Sequence, residues 1–176
     1  MKKALIVIDV QNYFINEHTA HIPSRIAEYI GRNGSEYGAV LFTKFINNEK
    51  SNFFLAHGWD KCIEAPETDI HPALAKLADI DKSHVFEKDT FSAFKNQRLV
   101  ETLRKKGITD IHLCGTDTEA CVLSSAYDGF DLGFTVKVLT DLCGTMNGAE
   151  FQESAKKIIE WTFERPTANN ARKTMP

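Results

Sequence analysis

Short apolar runs rich in β-branched residues alternate along the chain with segments whose apolar positions recur at helical spacing. The apolar runs predict five strands, at residues 4–8, 39–45, 84–86, 108–114 and 135–139. The segments with helical spacing predict helices at residues 24–31, 72–77, 96–106, 120–127 and 149–163. We expect Ser24 to cap the first helix and Gly107 to end the third in a left-handed turn.

This alternation predicts the fold class. Parallel strands that are separated by helices need crossover connections, and these are right-handed in nearly all proteins. We therefore expect one three-layer α/β domain over residues 1–165, with a mainly parallel sheet and helices on both faces.

The polar tail at 166–176 has no apolar periodicity, so we expect it to be flexible or to contact another subunit. The long connection from Asn47 to Asp69 is predicted to be irregular, and its aromatic residues suggest that it packs over or beside a functional site.

Composition narrows the class of partner. The chain has 176 residues, a hydrophobic share of 43% and a net charge of −3, without a basic stripe. These values argue against a nucleic-acid or anionic-membrane partner and favour a small molecule. No apolar run reaches the roughly 20 residues that span a bilayer, and the four cysteines follow no secretory signal. We expect a cytoplasmic protein with reduced thiols.

Three ionisable residues follow or end apolar runs: Asp9, Lys88 and Cys121. In an open parallel sheet the carboxyl ends of the strands line one crevice, so the three side chains are predicted to converge. Cys121 should open a helix, where free N–H groups and the helix dipole favour a thiolate. Asp9 would then act as a general base, and Lys88 would stabilise the charged groups. Each has a structural alternative: a turn-capping Asp, a surface Lys paired with a neighbouring acid, and a buried apolar Cys.

Other familiar sites are missing from the sequence. No G-x-G-x-x-G motif or P-loop follows the first strand, so a dinucleotide role is not expected. The histidines form no H-E-x-x-H pair, and the cysteine spacings do not match a structural zinc site. Backbone N–H groups of the turn from Asp117 to Cys121 could instead form an oxyanion hole for a carbonyl substrate.

Three motifs in order carry a family resemblance: Asp9-x-Gln11-x-x-Phe14, Lys88 followed by Phe91-Ser92-Ala93-Phe94, and the segment from Gly115 to Val122. Together they resemble the isochorismatase-like cysteine hydrolases, which include nicotinamidase and N-carbamoylsarcosine amidase. The resemblance implies a Rossmann-like fold with about six strands in the order 3-2-1-4-5-6. It also implies a homo-oligomer and a catalytic triad of Asp9, Lys88 and Cys121.

The resemblance further implies a reaction. Asp9 takes the thiol proton, Lys88 supports the charged pair, and Cys121 attacks an amide carbonyl to give a thioester that water hydrolyses. The oxyanion hole would use the backbone N–H groups of Asp117 and Cys121, with a cis peptide between Thr116 and Asp117. The other residues predicted to bind substrate are Gln11, Phe14, Phe45, Asn47, Trp59 and Phe91.

The sequence departs from nicotinamidases after the second strand. They have an Asp-x-His pair and a further His there, which hold a metal that binds the pyridine nitrogen, whereas residues 43–50 contain neither Asp nor His. We therefore predict a metal-independent amidase without a cofactor. Two alternatives stay open: a vinyl-ether hydrolase of the isochorismatase type, in which Cys121 is a bystander, and a binding or scaffold protein that retains the fold.

Overall fold

A sheet of five parallel strands lies at the centre of the computed structural model, which describes residues 2–79 and 84–164. The tail predicted at 166–176 lies outside these residues. In chain order the strands are β1 (Lys3–Ile8), β2 (Ala39–Phe45), β3 (Val85–Lys88), β4 (Asp110–Thr116) and β5 (Thr135–Gly144). Their spatial order is β3-β2-β1-β4-β5, and all four pairings are parallel.

The predicted class, a three-layer parallel α/β fold, is confirmed, and so are the five strands predicted from the apolar runs; the sixth strand that the family resemblance implied is wrong. Within the described residues the sheet has five strands and ends at β5. The observed order is therefore 3-2-1-4-5, without the sixth strand of the implied order 3-2-1-4-5-6. The physical reason is that the chain after β5 forms a loop and one long helix, and no further β-branched run is available to extend the sheet.

The centre of the sheet is its most apolar part. β1 pairs with β2 on one side and β4 on the other, and Ala4 to Ile8 are all buried. A strand that is covered by helices on both faces must be apolar at every position, which explains its unbroken apolar sequence. The polar residue that follows, Asp9, is therefore held at the end of a rigid, fully buried strand.

The helices surround this sheet. They are α1 (Ile22–Asn33), α2 (Asn52–His57), α3 (Pro72–Asp79), α4 (Gln97–Lys105), α5 (Leu123–Asp131) and α6 (Ala149–Phe163). The predicted cap at Ser24 is wrong: α1 begins at Ile22 and takes Pro23 into its first turn, where a missing N–H costs nothing. The left-handed turn at Gly107 is confirmed by its φ of +66°. Among the described helices, none has the length and apolar character needed to cross a bilayer.

The connection predicted to be irregular contains a short helix, α2. Ser51 caps its start, with Oγ accepting a hydrogen bond from the Phe54 N–H at 3.1 Å. Gly58 ends it in a left-handed conformation with φ +63°. Helix α2 places Phe53 and His57 beside the carboxyl ends of the strands, where the predicted site residues lie.

Candidate active site

The three residues predicted to converge do so at the carboxyl ends of three strands. Asp9 follows β1, Lys88 ends β3, and Cys121 lies in the turn after β4. Lys88 Nζ lies 2.6 Å from Asp9 Oδ2 and 3.6 Å from Cys121 Sγ. An acid, an amine and a thiol thus form one buried cluster.

The Lys88 ammonium is fixed by its partners. Besides Asp9 and Cys121, it donates a hydrogen bond to the Thr90 carbonyl oxygen at 2.7 Å. An ammonium group has three N–H donors, so these three partners use all of them. Burial alone would lower the pKa of Lys88, but the negative charge of Asp9 and the hydrogen bonds to Asp9 and Cys121 act against burial, and the pKa is raised. Lys88 therefore stays charged although its side chain is only 2% exposed.

The Asp9 carboxylate is oriented by a residue that the sequence reasoning missed. Thr43 Oγ1, on β2, donates to Asp9 Oδ1 at 2.7 Å, and the other oxygen faces Lys88. Asp9 itself has φ +49°, a left-handed conformation that is unusual for a residue other than glycine. The position of Thr43 near the carboxyl end of the strand beside β1 was the signal available in the sequence.

The turn that carries Cys121 depends on a close approach between two strands. Gly115 has φ +125°, and a Cβ atom there would lie 2.1 Å from the Ile8 carbonyl oxygen, so only glycine fits. The peptide between Thr116 and Asp117 is cis, as predicted. A wide helical turn follows over 118–122, in which the Val122 N–H donates to the Asp117 carbonyl oxygen at 3.1 Å. Such five-residue turns are frequent at functional sites.

Burial acts against the thiolate expected at Cys121. Cys121 is buried, and burial raises the pKa of its thiol well above the ordinary value. Lys88 opposes this shift, while the Asp9 carboxylate adds to it. The loss of hydration outweighs the nearby ammonium, so the thiol of the free protein is protonated and needs a base before it can react.

A cavity of about 460 Å³ opens onto this thiol. Four of the residues predicted to bind substrate line it: Phe14, Phe45, Trp59 and Phe91. Its other lining residues are Tyr13, Phe53, His57, Asp117, Ala120, Cys121, Met146 and Asn147. Six of these twelve side chains are aromatic, so the cavity is mainly an aromatic chamber with the thiol in its wall.

The other two predicted substrate-binding residues, Gln11 and Asn47, lie outside the cavity lining. Gln11 Nε2 donates to the Phe45 carbonyl oxygen at 2.8 Å, and its Oε1 accepts from the Phe45 N–H at 2.6 Å. Asn47 Nδ2 donates to the Trp59 carbonyl oxygen at 2.7 Å. Buried amides need such partners, and here the partners are the backbones of two cavity residues. The two amides therefore position the backbone of Phe45 and Trp59, whose rings line the cavity.

A metal does not fit the end of β2 and the loop after it, because residues 43–50 contain neither Asp nor His. Phe45 offers no donor atom, and the amide of Asn47 is occupied by backbone carbonyl groups and by Ser51 Oγ. In the parts of the chain that the structure describes, no group of three or more His, Cys, Asp and Glu side chains could hold an ion.

Asp117 brings a carboxyl group into the aromatic cavity. Its Oδ1 accepts a hydrogen bond from the Met146 N–H at 2.9 Å. Burial raises the pKa of Asp117 to about 7; the Met146 N–H opposes the shift, and the negative charges of Glu119 and Asp9 add to it. The sequence reasoning assigned only the backbone of this residue a role.

The chain is similar over nearly its whole length to proteins of one family. The family model of the Isochorismatase domain matches residues 3–171. An isochorismatase family protein from Bacillus subtilis, PncA, is 29% identical over 169 residues, which cover 84% of this chain and 88% of the relative. Nicotinamidase 3 from Arabidopsis thaliana is 28% identical over 165 residues, covering 91% of this chain and 81% of the relative. The crystal structure of nicotinamidase PncA from Bacillus subtilis superposes with a TM-score of 0.77 at 26% identity, covering 93% and 97% of the two chains.

Proposed function

Because the chain belongs to the isochorismatase family, we propose that it is an amidohydrolase that cleaves the C–N bond of a small amide through Cys121. One observation carries the assignment of the nucleophile. The Cys121 thiol shares the Lys88 ammonium with the Asp9 carboxylate and opens into a cavity large enough for a small substrate.

In the proposed reaction, Asp9 accepts the thiol proton as Sγ attacks the amide carbon. The Lys88 ammonium compensates the negative charge that passes from Asp9 to sulfur. The backbone N–H groups of Asp117 and Cys121 stabilise the oxygen anion of the tetrahedral intermediate. When the intermediate collapses, the C–N bond breaks, protonated Asp9 gives its proton to the leaving amine, and a thioester remains on Cys121.

Water then completes the cycle. Asp9 removes a proton from the attacking water, the new C–O bond forms, and the C–S bond breaks to return the thiol and release a carboxylic acid. The raised pKa of Cys121 supports this sequence, because a thiol that is protonated at rest requires a base within the cluster. Phe45 and Asn47 support the proposal that no metal takes part, since Phe45 has no ligand atom and the Asn47 Oδ1 already accepts from the Asn48 N–H and Ser51 Oγ.

The test is turnover of a panel of small primary amides by wild type and by Cys121→Ala. We expect the variant to lose at least about a thousandfold in kcat, as removal of a catalytic nucleophile does elsewhere. Cys143→Ala is the matched control, because Cys143 is also buried but does not line the cavity, and it should retain activity. Mass spectrometry after rapid quenching should find the acyl group on Cys121.

Undiminished amide hydrolysis by Cys121→Ala would overturn the nucleophile assignment. Turnover of a vinyl ether that survives this substitution would instead favour the isochorismatase-type reaction. Ligand binding without any turnover would favour a binding protein.

We also propose that the protein is a homo-oligomer. Large apolar side chains on two neighbouring helices support this: Phe130 on α5 is 59% exposed and Phe151 on α6 is 51% exposed. Exposed apolar side chains of this size are common where subunits meet.

A further inference from the structure

The cavity beside Cys121 combines aromatic walls with one carboxylate. Several neighbouring rings are close to perpendicular: Phe45 and Phe53 meet at 83° with centroids 4.9 Å apart, and Tyr13 and Trp59 meet at 72° and 5.4 Å. Phe91 meets Phe53 at 66° and 4.7 Å. Rings at such angles form adjacent walls of a chamber. A ligand inside would meet their π systems from more than one side.

Aromatic rings of this kind attract cations. The negative face of a ring favours an ammonium group within about 6 Å, and methylated ammonium groups are commonly bound in cages of several rings. One ring of this cavity already shows the interaction, because Lys88 Nζ lies 5.1 Å from the centroid of Phe45.

The charges around the cavity also favour a cation. Lys88 and Asp9 form an ion pair and cancel, and the Cys121 thiol is protonated. Among the lining residues, Asp117 is then the carboxylate that remains, while His57 lies exposed at the mouth. One oxygen of Asp117 accepts the Met146 N–H, and no other described side chain bonds this carboxylate, which leaves its second oxygen for a ligand.

We propose that the substrate is a small amide with a cationic group, preferably a methylated ammonium, which lies among Tyr13, Phe53, Trp59 and Phe91 and faces the Asp117 carboxylate. This inference rests on the proposed function and specifies its substrate class. Asp117 and Cys121 line the same cavity, so a short linker between the ammonium and the amide lets both ends reach their partners at once. A substrate with a carboxylate in place of the cation would meet Asp117 unfavourably.

Binding of matched amides to Cys121→Ala tests this without turnover. The probes are primary amides of one four-carbon chain that ends in trimethylammonium, in its neutral isostere tert-butyl, in hydroxyl or in carboxylate. By calorimetry at about pH 8 we expect the trimethylammonium amide to bind at least about tenfold more tightly than the tert-butyl amide, and the carboxylate to bind most weakly.

Two further substitutions in the same background identify the source of the preference. Asp117→Asn keeps the shape of the side chain and an acceptor for the Met146 N–H, and it should lower the preference for the cation about tenfold. Asp131→Asn removes the same charge at an exposed position outside the cavity lining and should leave the preference unchanged.

Equal or tighter binding of the tert-butyl amide would overturn the inference. A hydroxyl amide that binds as well as the trimethylammonium amide would also overturn it, and so would the absence of binding by every probe at millimolar concentration. Wild-type turnover separates this result from the proposed function. Cysteine-dependent hydrolysis without a preference for the cation would support the proposed amidase function and contradict the cationic substrate. A preference in binding without hydrolysis of any amide contradicts the amidase instead.

Discussion

At the scale of single residues, Asp117 is kept in a cavity where its ionised form is costly. Its pKa is raised to about 7 from an ordinary value of 3.8 because burial disfavours the charge. An acid with a raised pKa in the folded protein stabilises the fold below its unfolded pKa, and this contribution is lost as the pH rises through the folded pKa. Between about pH 4 and pH 7 the stability therefore falls, because Asp117 ionises in the unfolded chain but is held protonated in the folded protein.

This gives a prediction for Asp117→Asn. The neutral amide should raise the free energy of unfolding at about pH 8 by roughly 1 kcal/mol or more, which corresponds to about 2–4 °C in Tm, and the gain should shrink towards pH 4. Thermal unfolding of both proteins across this pH range measures it. A difference in Tm that does not depend on pH would contradict the raised pKa.

The sequence predicts some residues of the site better than others. Asp9, Lys88 and Cys121 could be found because each lies at or just after a strand end, and parallel strands bring such positions together. Thr43 lies within β2 rather than at its end, and its role depends on the direction of its side chain and on one hydrogen bond, so it was not found in this way. The same limit applies to Gln11 and Asn47, which were predicted to bind substrate but whose amides bond the backbone of Phe45 and Trp59.

At the scale of elements, helix α2 depends on its two ends. It has only six residues, too few for a helix to be stable alone, so its caps and its packing hold it. Such a length also shows no clear periodicity, which is why the segment was predicted to be irregular. The capping residues Ser51 and Gly58, at the two ends of the aromatic run, were the signals in the sequence.

A substitution at the end of α2 should therefore affect substrate binding. Gly58→Ala forces a side chain into a left-handed conformation at a cost of about 1 kcal/mol, although a Cβ there meets no other atom. We expect faster amide hydrogen exchange over 52–57 and a higher KM with a smaller change in kcat, because Phe53 and His57 line the cavity while the thiol cluster is untouched.

Gly31→Ala provides the control for this prediction. Gly31 lies within α1, its Cβ position is also open, and its φ is not positive, so alanine should stabilise the protein by about 0.5–1 kcal/mol. Equal effects of the two substitutions on KM would contradict the role of α2.

At the scale of the whole molecule, the exposed apolar residues of α5 and α6 lead to a prediction about assembly. If Phe130 lies between subunits, Phe130→Glu should shift the protein towards the monomer, because a charge buried there lacks a partner. Sedimentation velocity measures the change. Leu55→Glu, at a position on α2 that is 68% exposed, is the control and should leave the mass unchanged. A wild-type monomer would contradict the prediction.

The order and direction of the strands follow from the sequence more fully than the length of each strand does. The alternation of strands and helices predicts a parallel sheet, and the apolar β1 predicts its own central place. The number of strands came from the family resemblance, and the residues after β5 do not support a sixth. β5 itself extends to Gly144, beyond the predicted end at residue 139, because pairing with β4 resumes after a shift in register between Leu113 and Gly115.

The short helix α2 also bears on how such a protein can diverge. The Asp9–Lys88–Cys121 cluster lies on strand ends and on the turn after β4. By contrast, three cavity residues, Phe53, His57 and Trp59, come from the surface segment between β2 and α3. Loops tolerate exchange far better than a buried sheet does. Exchange of this one segment can therefore alter the aromatic part of the cavity, and with it the range of substrates, while the Asp9–Lys88–Cys121 cluster stays unchanged.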